Sequence, residues 1–278
     1  MNHAALAGGV AGVVESIVVQ PLDIVKTRFQ LSREANPKLL QAFRLLLAEG
    51  GVLRFYRGLL PEMVGNVPTR TAMYAGKDWA SRHLEALGYP KSCAREFLAG
   101  MFSGVPEAVA TTPFQVVKIR MQNKDLVKHY ANDIDCLVKV LSEEGALALF
   151  NGLQTTVFRN SIWNAVYFGA ISAMSDFRKE SREGVAEQLQ RLATGLGAGI
   201  LATCFNAPFD VAKSRIQQSK SGPNRRTTFG ILLDILQQEG ARALYKGFTP
   251  KAWRMGVGGA VSFATFDFAH GSLQALGK

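Results

Sequence analysis

Several features that commonly carry function are scarce in this chain. Cysteine occurs three times in 278 residues, at Cys93, Cys136 and Cys204, with no metal-ligand spacing, which argues against a disulfide framework or a zinc site. No catalytic triad, phosphate loop or metal cluster is legible, so enzyme chemistry has no candidate residues. Acidic residues are outnumbered, 22 Asp and Glu against 32 Lys and Arg, for a formal net charge of +10. That balance attracts anions of any kind, whether nucleic acid, acidic lipid or small acidic solutes, without choosing among them. Long apolar runs are missing too. Mean hydropathy is only +0.06, and Glu15, Arg70, Glu107, Arg159, Asn164 and Arg254 each fall within an apolar stretch. The opening MNHAALAGGV has no charged n-region or cleavage site of a secretory signal, so targeting is expected to be internal or a leader to have been removed.

What is present is a threefold repeat. PLDIVKTRFQ begins at Pro21, PFQVVKIRMQ at Pro113 and PFDVAKSRIQ at Pro208, at intervals of 92 and 95 residues. In each copy lysine follows the proline at +5, arginine at +7 and glutamine at +9. No low-complexity linker separates the copies, which suits one body with internal symmetry, divided at 1–92, 93–185 and 186–278. Each third reads as a long helix, a polar turn, a short amphipathic helix and a second long helix. The spacing predicts first helices at about 4–30, 94–122 and 190–217, short helices at about 38–48, 132–143 and 227–238, and second long helices at about 60–85, 154–177 and 250–274. Small-residue runs ending at Gly12, Gly104 and Gly199 lie nine residues before each proline, a spacing that lets helix backbones approach closely. GLGAG within the third run is not a nucleotide loop, since a helix surrounds it and no strand precedes it. Proline inside each first helix removes a backbone hydrogen bond and predicts three kinks at one level, hence a shared constriction.

Six helices of about 25 residues are long enough to cross a hydrocarbon layer roughly 30 Å thick. Ionisable residues in spanning helices normally face a water-filled interior and mark a solute path. A soluble helical-repeat scaffold binding acidic partners remains the alternative, although its repeats and helices are usually shorter.

The residues quoted above resemble the mitochondrial carrier family. That family shows Pro-x-acid-x-x-basic-x-basic on each odd-numbered helix and, about 30 residues on, an acidic-Gly or polar-Gly pair followed by aromatic-basic-Gly. Here the second string is EGGVLRFYRG ending at Gly58, EEGALALFNG at Gly152 and QEGARALYKG at Gly247. The resemblance covers essentially the whole chain. It implies an all-α membrane protein, six transmembrane helices in three tandem repeats with pseudo-threefold symmetry, plus three short matrix-side helices. It places the chain in the mitochondrial inner membrane, multi-pass, with both termini toward the intermembrane space, working as a monomer by alternating access. No cofactor and no nucleic acid are implied; membrane lipid, with cardiolipin as a structural candidate, and small dicarboxylate substrates are.

The resemblance also assigns roles. On the odd helices an acid and a base three residues apart share one face, so Asp23 can reach Lys118, Gln115 can reach Lys213 and Asp210 can reach Lys26 as a matrix gate, braced by Gln30, Gln122 and Gln217. The family usually has an acid where Gln115 stands. One ion pair then becomes a hydrogen bond worth about 0.5–1.5 kcal/mol rather than about 1.5–3, which predicts a weakened gate. On the cytosolic side Asp78 and Asp267 remain, with His270 as the one basic partner, although a simple surface histidine is the other reading of His270. Substrate contacts fall seven residues beyond each repeat glycine, at Gly65, Arg159 and Arg254, with neighbours Asn66 and Asn160 and with Arg70 one turn on. Guanidinium forks match carboxylates in a bidentate way. The alternative for Arg159 and Arg254 is pairing with a neighbouring carboxylate, and for Arg70 neutralisation by Glu15 or Glu107, which could instead carry a proton with the substrate.

PLDIVKTRFQ, PFDVAKSRIQ, ALYKG and WRMGVGGAV are similar to the 2-oxodicarboxylate branch of that family, which exchanges 2-oxoadipate and 2-oxoglutarate. The expectation is an antiporter for those anions rather than an enzyme, with a citrate-type carrier as the alternative within transport.

Overall fold

The computed structural model describes residues 3–31, 39–123, 129–176, 185–218, 227–258, 261 and 265. Among these residues there is no strand. The helices are α1 (His3–Leu31), α2 (Leu39–Gly50), α3 (Leu59–Ala86), α4 (Cys93–Gln122), α5 (Asp133–Lys139), α6 (Leu153–Asp176), α7 (Val185–Gln218), α8 (Thr228–Glu239) and α9, described over 248–258. These are the long, short and long helices predicted for each third, although most of the last one, predicted at about 250–274, lies beyond 258 and outside the described residues. One difference lies in the second short helix, which stops at Lys139 and continues as a π-turn over Val140–Glu144.

Local chemistry sets the boundaries. Ser92 caps α4 by accepting from the Arg95 amide, Asn132 caps α5 from the Asp135 amide, and Thr227 caps α8 from the Gly230 amide. Pro21, Pro113 and Pro208 sit inside α1, α4 and α7, where each deletes one helical donor. The second repeated string folds as a 3₁₀ turn between two glycines in every repeat. Gly51, Gly145 and Gly240 open it and Gly58, Gly152 and Gly247 close it, all at φ between 64° and 85°, a region that side chains with a Cβ avoid.

The long helices form a ring. α3 packs on α1 and α4, α6 on α4 and α7, and α1 meets α7; Gly199 of α7 faces Met255 of α9, and Gly258 faces Val19 of α1. The small-residue run of α4 works as predicted. A Cβ on Gly104 would lie 2.3 Å from the Ser161 amide nitrogen of α6, and one on Gly100 would lie 2.5 Å from the Asn164 carbonyl oxygen. Backbone meets backbone there.

No helix among the described residues is long and apolar enough to cross a membrane by apolarity alone. The cause is where the polar groups sit. On α4 the exposed positions Phe102, Val105 and Val109 follow helical spacing, while Ser103 and Thr111 are buried on the opposite face. Ile17 and Val18 of α1 and Ile200, Leu201 and Phe205 of α7 are likewise exposed, whereas Asp23, Asn160, Asp210 and Lys213 are buried. Apolar outside and charged inside is the polarity of a bundle solvated by lipid, and it averages to a mean hydropathy near zero.

At one end the short helices are tied to the long ones. Arg215 chelates Glu239, one arm at 3.0 Å, and Lys246 joins at 2.9 Å. The hydrogen bond from Arg215 holds the Glu239 carboxyl down to about 2. Arg120 grips Glu144 in the same way one repeat earlier. In the first repeat Gly50 stands at the position of that glutamate, and the buried Arg54 donates instead to the carbonyls of Met121 and Gln122 at 3.1 and 3.2 Å, at the C-terminal end of α4. Cys136 is packed into this end of the second repeat, and burial pushes its thiol up to about 12, which makes it inert.

Candidate functional site

Charged side chains within a few residues of the repeat prolines meet inside the ring, where they fall into groups of unequal composition. In the first, Asp23 of α1 accepts from Lys118 of α4 at 2.9 Å and forms an ion pair with Arg254 of α9 at 2.6 Å. Glu62 of α3 bridges the same two cations, contacting Lys118 and lying 3.4 Å from Arg254. In the second, Asp210 of α7 accepts from Arg159 of α6 at 2.7 Å and from Lys251 of α9 at 2.6 Å. Both aspartates are about 5% exposed, so these pairs are screened little by water.

Several expectations need correction. Asp23 does meet Lys118, but Asp210 takes Arg159 and Lys251 as direct partners rather than Lys26, which faces it at longer range. The hydrogen bond from Lys213 to Gln115 is not made: Gln115 Oε1 is buried with no partner. Gln122 braces no lysine pair and accepts from Thr27 Oγ1 at 2.7 Å, tying α4 to α1. The side chains of Gln30 and Gln217 lie outside the described residues, as do Asp267 and His270. Gly65 is no open contact point; it is buried, and a Cβ there would lie 2.8 Å from the Phe114 ring. Asp78 is exposed and pairs with Arg82 on its own helix, so it does not bridge helices. One residue earlier, Lys77 does. It reaches Glu96 of α4 at 2.7 Å and lies 4.2 Å over the ring of Phe168 on α6.

Arg159 and Arg254 therefore already hold carboxylates, the alternative that the sequence left open. Arg159 also donates to Asn160 Oδ1 at 2.6 Å, leaving Asn160 Nδ2 without a partner. Glu107 is held by Asn164 at 2.7 Å, within electrostatic range of Arg159, Arg70 and Lys213. Glu15 lies near Arg254, while Arg70 and Asn66 are exposed on α3. Trp163 stacks on Tyr167 with ring centroids 4.6 Å apart, a packing role.

Glu62 and Lys251 were missed by sequence reasoning. A signal existed, since both stand four residues beyond the repeat glycine, with Thr156 as the third equivalent. Among the described residues the cluster then comprises seven cations, Lys26, Arg70, Lys118, Arg159, Lys213, Lys251 and Arg254, against five carboxylates, Glu15, Asp23, Glu62, Glu107 and Asp210. The formal excess is two positive charges, with Arg70 the exposed member of the set. Such a site favours a dianion. Among the described residues no group of His, Cys, Asp and Glu could hold a metal ion.

Comparison with known proteins agrees with the repeat. The profile of the mitochondrial carrier protein family matches residues 2–87, 89–182 and 185–276. The mitochondrial 2-oxodicarboxylate carrier of Homo sapiens is 35% identical over 98% of this chain and 95% of its own length. The probable mitochondrial 2-oxodicarboxylate carrier of Schizosaccharomyces pombe is 34% identical over 94% of this chain and 90% of its own. Mitochondrial citrate transporter D of Aspergillus niger is 33% identical over 95% and 92%.

Proposed function

The chain belongs to the mitochondrial carrier protein family, whose members are transporters, and from that premise we propose that it is an inner-membrane antiporter exchanging 2-oxodicarboxylates such as 2-oxoadipate and 2-oxoglutarate. The observation that carries the reading is the formal excess of two positive charges among the described groups of this cluster, in which carboxylates already occupy both arginines. A dicarboxylate supplies the two charges that the protein lacks; citrate would overfill the site by one.

The geometry gives the exchange a physical course. A substrate carboxylate presents the same planar pair of oxygens as an aspartate, so it competes with Asp210 for Arg159 and with Asp23 for Arg254. Each aspartate keeps a lysine when its arginine leaves, Lys251 for Asp210 and Lys118 for Asp23. Binding thus loosens the ties between helices at the proline level without stranding a buried charge. Asn160, Asn66 and Arg70 complete the polar lining, with Glu15 and Glu107 facing the same space. The closed ring at the proline level acts as the matrix-side gate, and Lys77 with Glu96 holds α3 to α4 at the opposite end. Both termini face the intermembrane space, and the chain works as a monomer with cardiolipin among its lipids.

A ligand that binds the folded state raises the unfolding temperature by an amount that grows with the logarithm of its concentration over its Kd. In detergent, 2-oxoglutarate and 2-oxoadipate are expected to protect the protein more than citrate, malate or nucleotides, and to counter-exchange in liposomes. Citrate exchange without 2-oxoglutarate exchange would overturn the assignment.

A further inference from the structure

Pseudo-threefold symmetry predicts three equivalent charge groups, each built from an aspartate of one repeat, the lysine of the next and the arginine of the one before. The group of Asp23, Lys118 and Arg254 is complete. The group of Asp210, Lys26 and Arg159 keeps its members and adds Lys251. In the remaining group two of three members are missing together: Gln115 replaces the acid, and Gly65, whose space the Phe114 ring fills, replaces the arginine. Lys213 stays. It is 6% exposed and makes no hydrogen bond or close ion pair with any described residue. Its electrostatic neighbours are Arg159, Lys26 and Lys251 against one acid, Asp210, which is already taken by two of those cations, and Glu107 at longer range.

A buried ammonium surrounded by cations is costly unless an anion reaches it. Gln115 supplies none, and its own carbonyl oxygen is also left without a partner.

We infer that Lys213 is a third substrate contact, freed for that task by the joint loss of acid and arginine at its group. This rests on the transport reading above. One substrate carboxylate is held in the fork of a guanidinium and the other by the point charge of Lys213. The two ends of the anion are thereby recognised by different chemistry. Because Lys213 sits on α7 and Arg159 on α6, their separation measures the length of the substrate, so Lys213 sets chain-length preference. Gln115 keeps the lysine available by not pairing with it.

The test is liposome counter-exchange by the full-length chain and by Gln115→Glu, Lys213→Met and the double variant, using dicarboxylates of increasing length. Gln115→Glu gives Lys213 an internal partner. Each single variant is expected to raise KM about tenfold or more, with a smaller change in the maximal rate, and to flatten the ranking of substrates by length. The double variant is expected to be worse than either single one, since the introduced carboxylate then faces the anion with no lysine to neutralise it. A KM within about twofold of wild type for Gln115→Glu, which keeps every native side chain except the glutamine, overturns the inference. So does a rate defect at unchanged KM, the mark of a gate residue alone. The wild-type protein tests the transport reading separately. If it exchanges a different polyanion, the 2-oxodicarboxylate assignment falls, and the same ratios decide the role of Lys213 on that anion.

Discussion

Replacing Asp210 by Asn should weaken the empty protein and strengthen its response to substrate. Asp210 is 4% exposed and accepts from Arg159 at 2.7 Å and Lys251 at 2.6 Å. At an effective dielectric near 20 each pair is worth about 6 kcal/mol before desolvation. Most of that gross attraction offsets the burial of the charges, and breaking such a buried group by removing one partner costs about 3–5 kcal/mol net. Asparagine preserves shape and leaves two cations without their carboxylate. The assay is thermal unfolding in detergent across a substrate titration. Without substrate the midpoint should fall by several degrees. Saturating 2-oxoglutarate should then raise it further than in the wild type, because its carboxylate no longer competes with Asp210 and takes the vacated place. An unchanged midpoint in the empty protein would refute the energetic weight given to this pair. A substrate-induced shift smaller than that of the wild type would refute competition between substrate and aspartate.

Other consequences follow from particular contacts. Gly104→Leu should abolish folding, since even a Cβ would lie 2.3 Å from the Ser161 amide nitrogen, whereas Gly199→Ala should be milder because it meets only the flexible methyl end of Met255; yield of monodisperse protein checks both. Lys77→Met should raise exchange rate with little change in KM if Lys77, Glu96 and Phe168 only hold the far end shut, and an unchanged rate would contradict that role. Glu239 is held down to about 2 by its hydrogen bond from Arg215, against an ordinary value of 4.5. Its contribution to stability is present above the unfolded value and lost as pH falls from about 5 towards 2. Glu239→Gln should therefore lower the unfolding midpoint at pH 7 and shrink the difference from wild type near pH 3.

Much of the fold was legible because the same local rules apply three times. Pro21, Pro113 and Pro208 mark the same level of the first long helix in every repeat, and the paired glycines at Gly51 and Gly58 and their equivalents mark the same turn, where a positive φ demands them. The site was harder to read because its chemistry lies where the repeats differ. Position alone pointed to Arg159 and Arg254, but not to their engagement by Asp210 and Asp23, since those contacts cross repeats. Glu62 and Lys251 escaped notice although they occupy equivalent positions, because one is acidic and the other basic. Gly65 was placed by symmetry at a contact level, yet lacking a side chain it serves helix packing against Phe114. Asp78 was chosen over Lys77 by motif, and the turn of α3 directs the lysine, not the aspartate, at its neighbours. Gln115 appeared as a weakened gate pair; beside Gly65 it belongs to a charge group missing two members at once.

The central claim is that two unmatched positive charges select a dianion for exchange, and the most direct measurement is counter-exchange by the purified protein in liposomes loaded with 2-oxoglutarate. External 2-oxoglutarate and 2-oxoadipate should drive efflux strongly, a 2-oxo monocarboxylate of equal length weakly, and empty exterior buffer not at all. Equal efflux with the monocarboxylate, or efflux driven by citrate alone, would contradict the account.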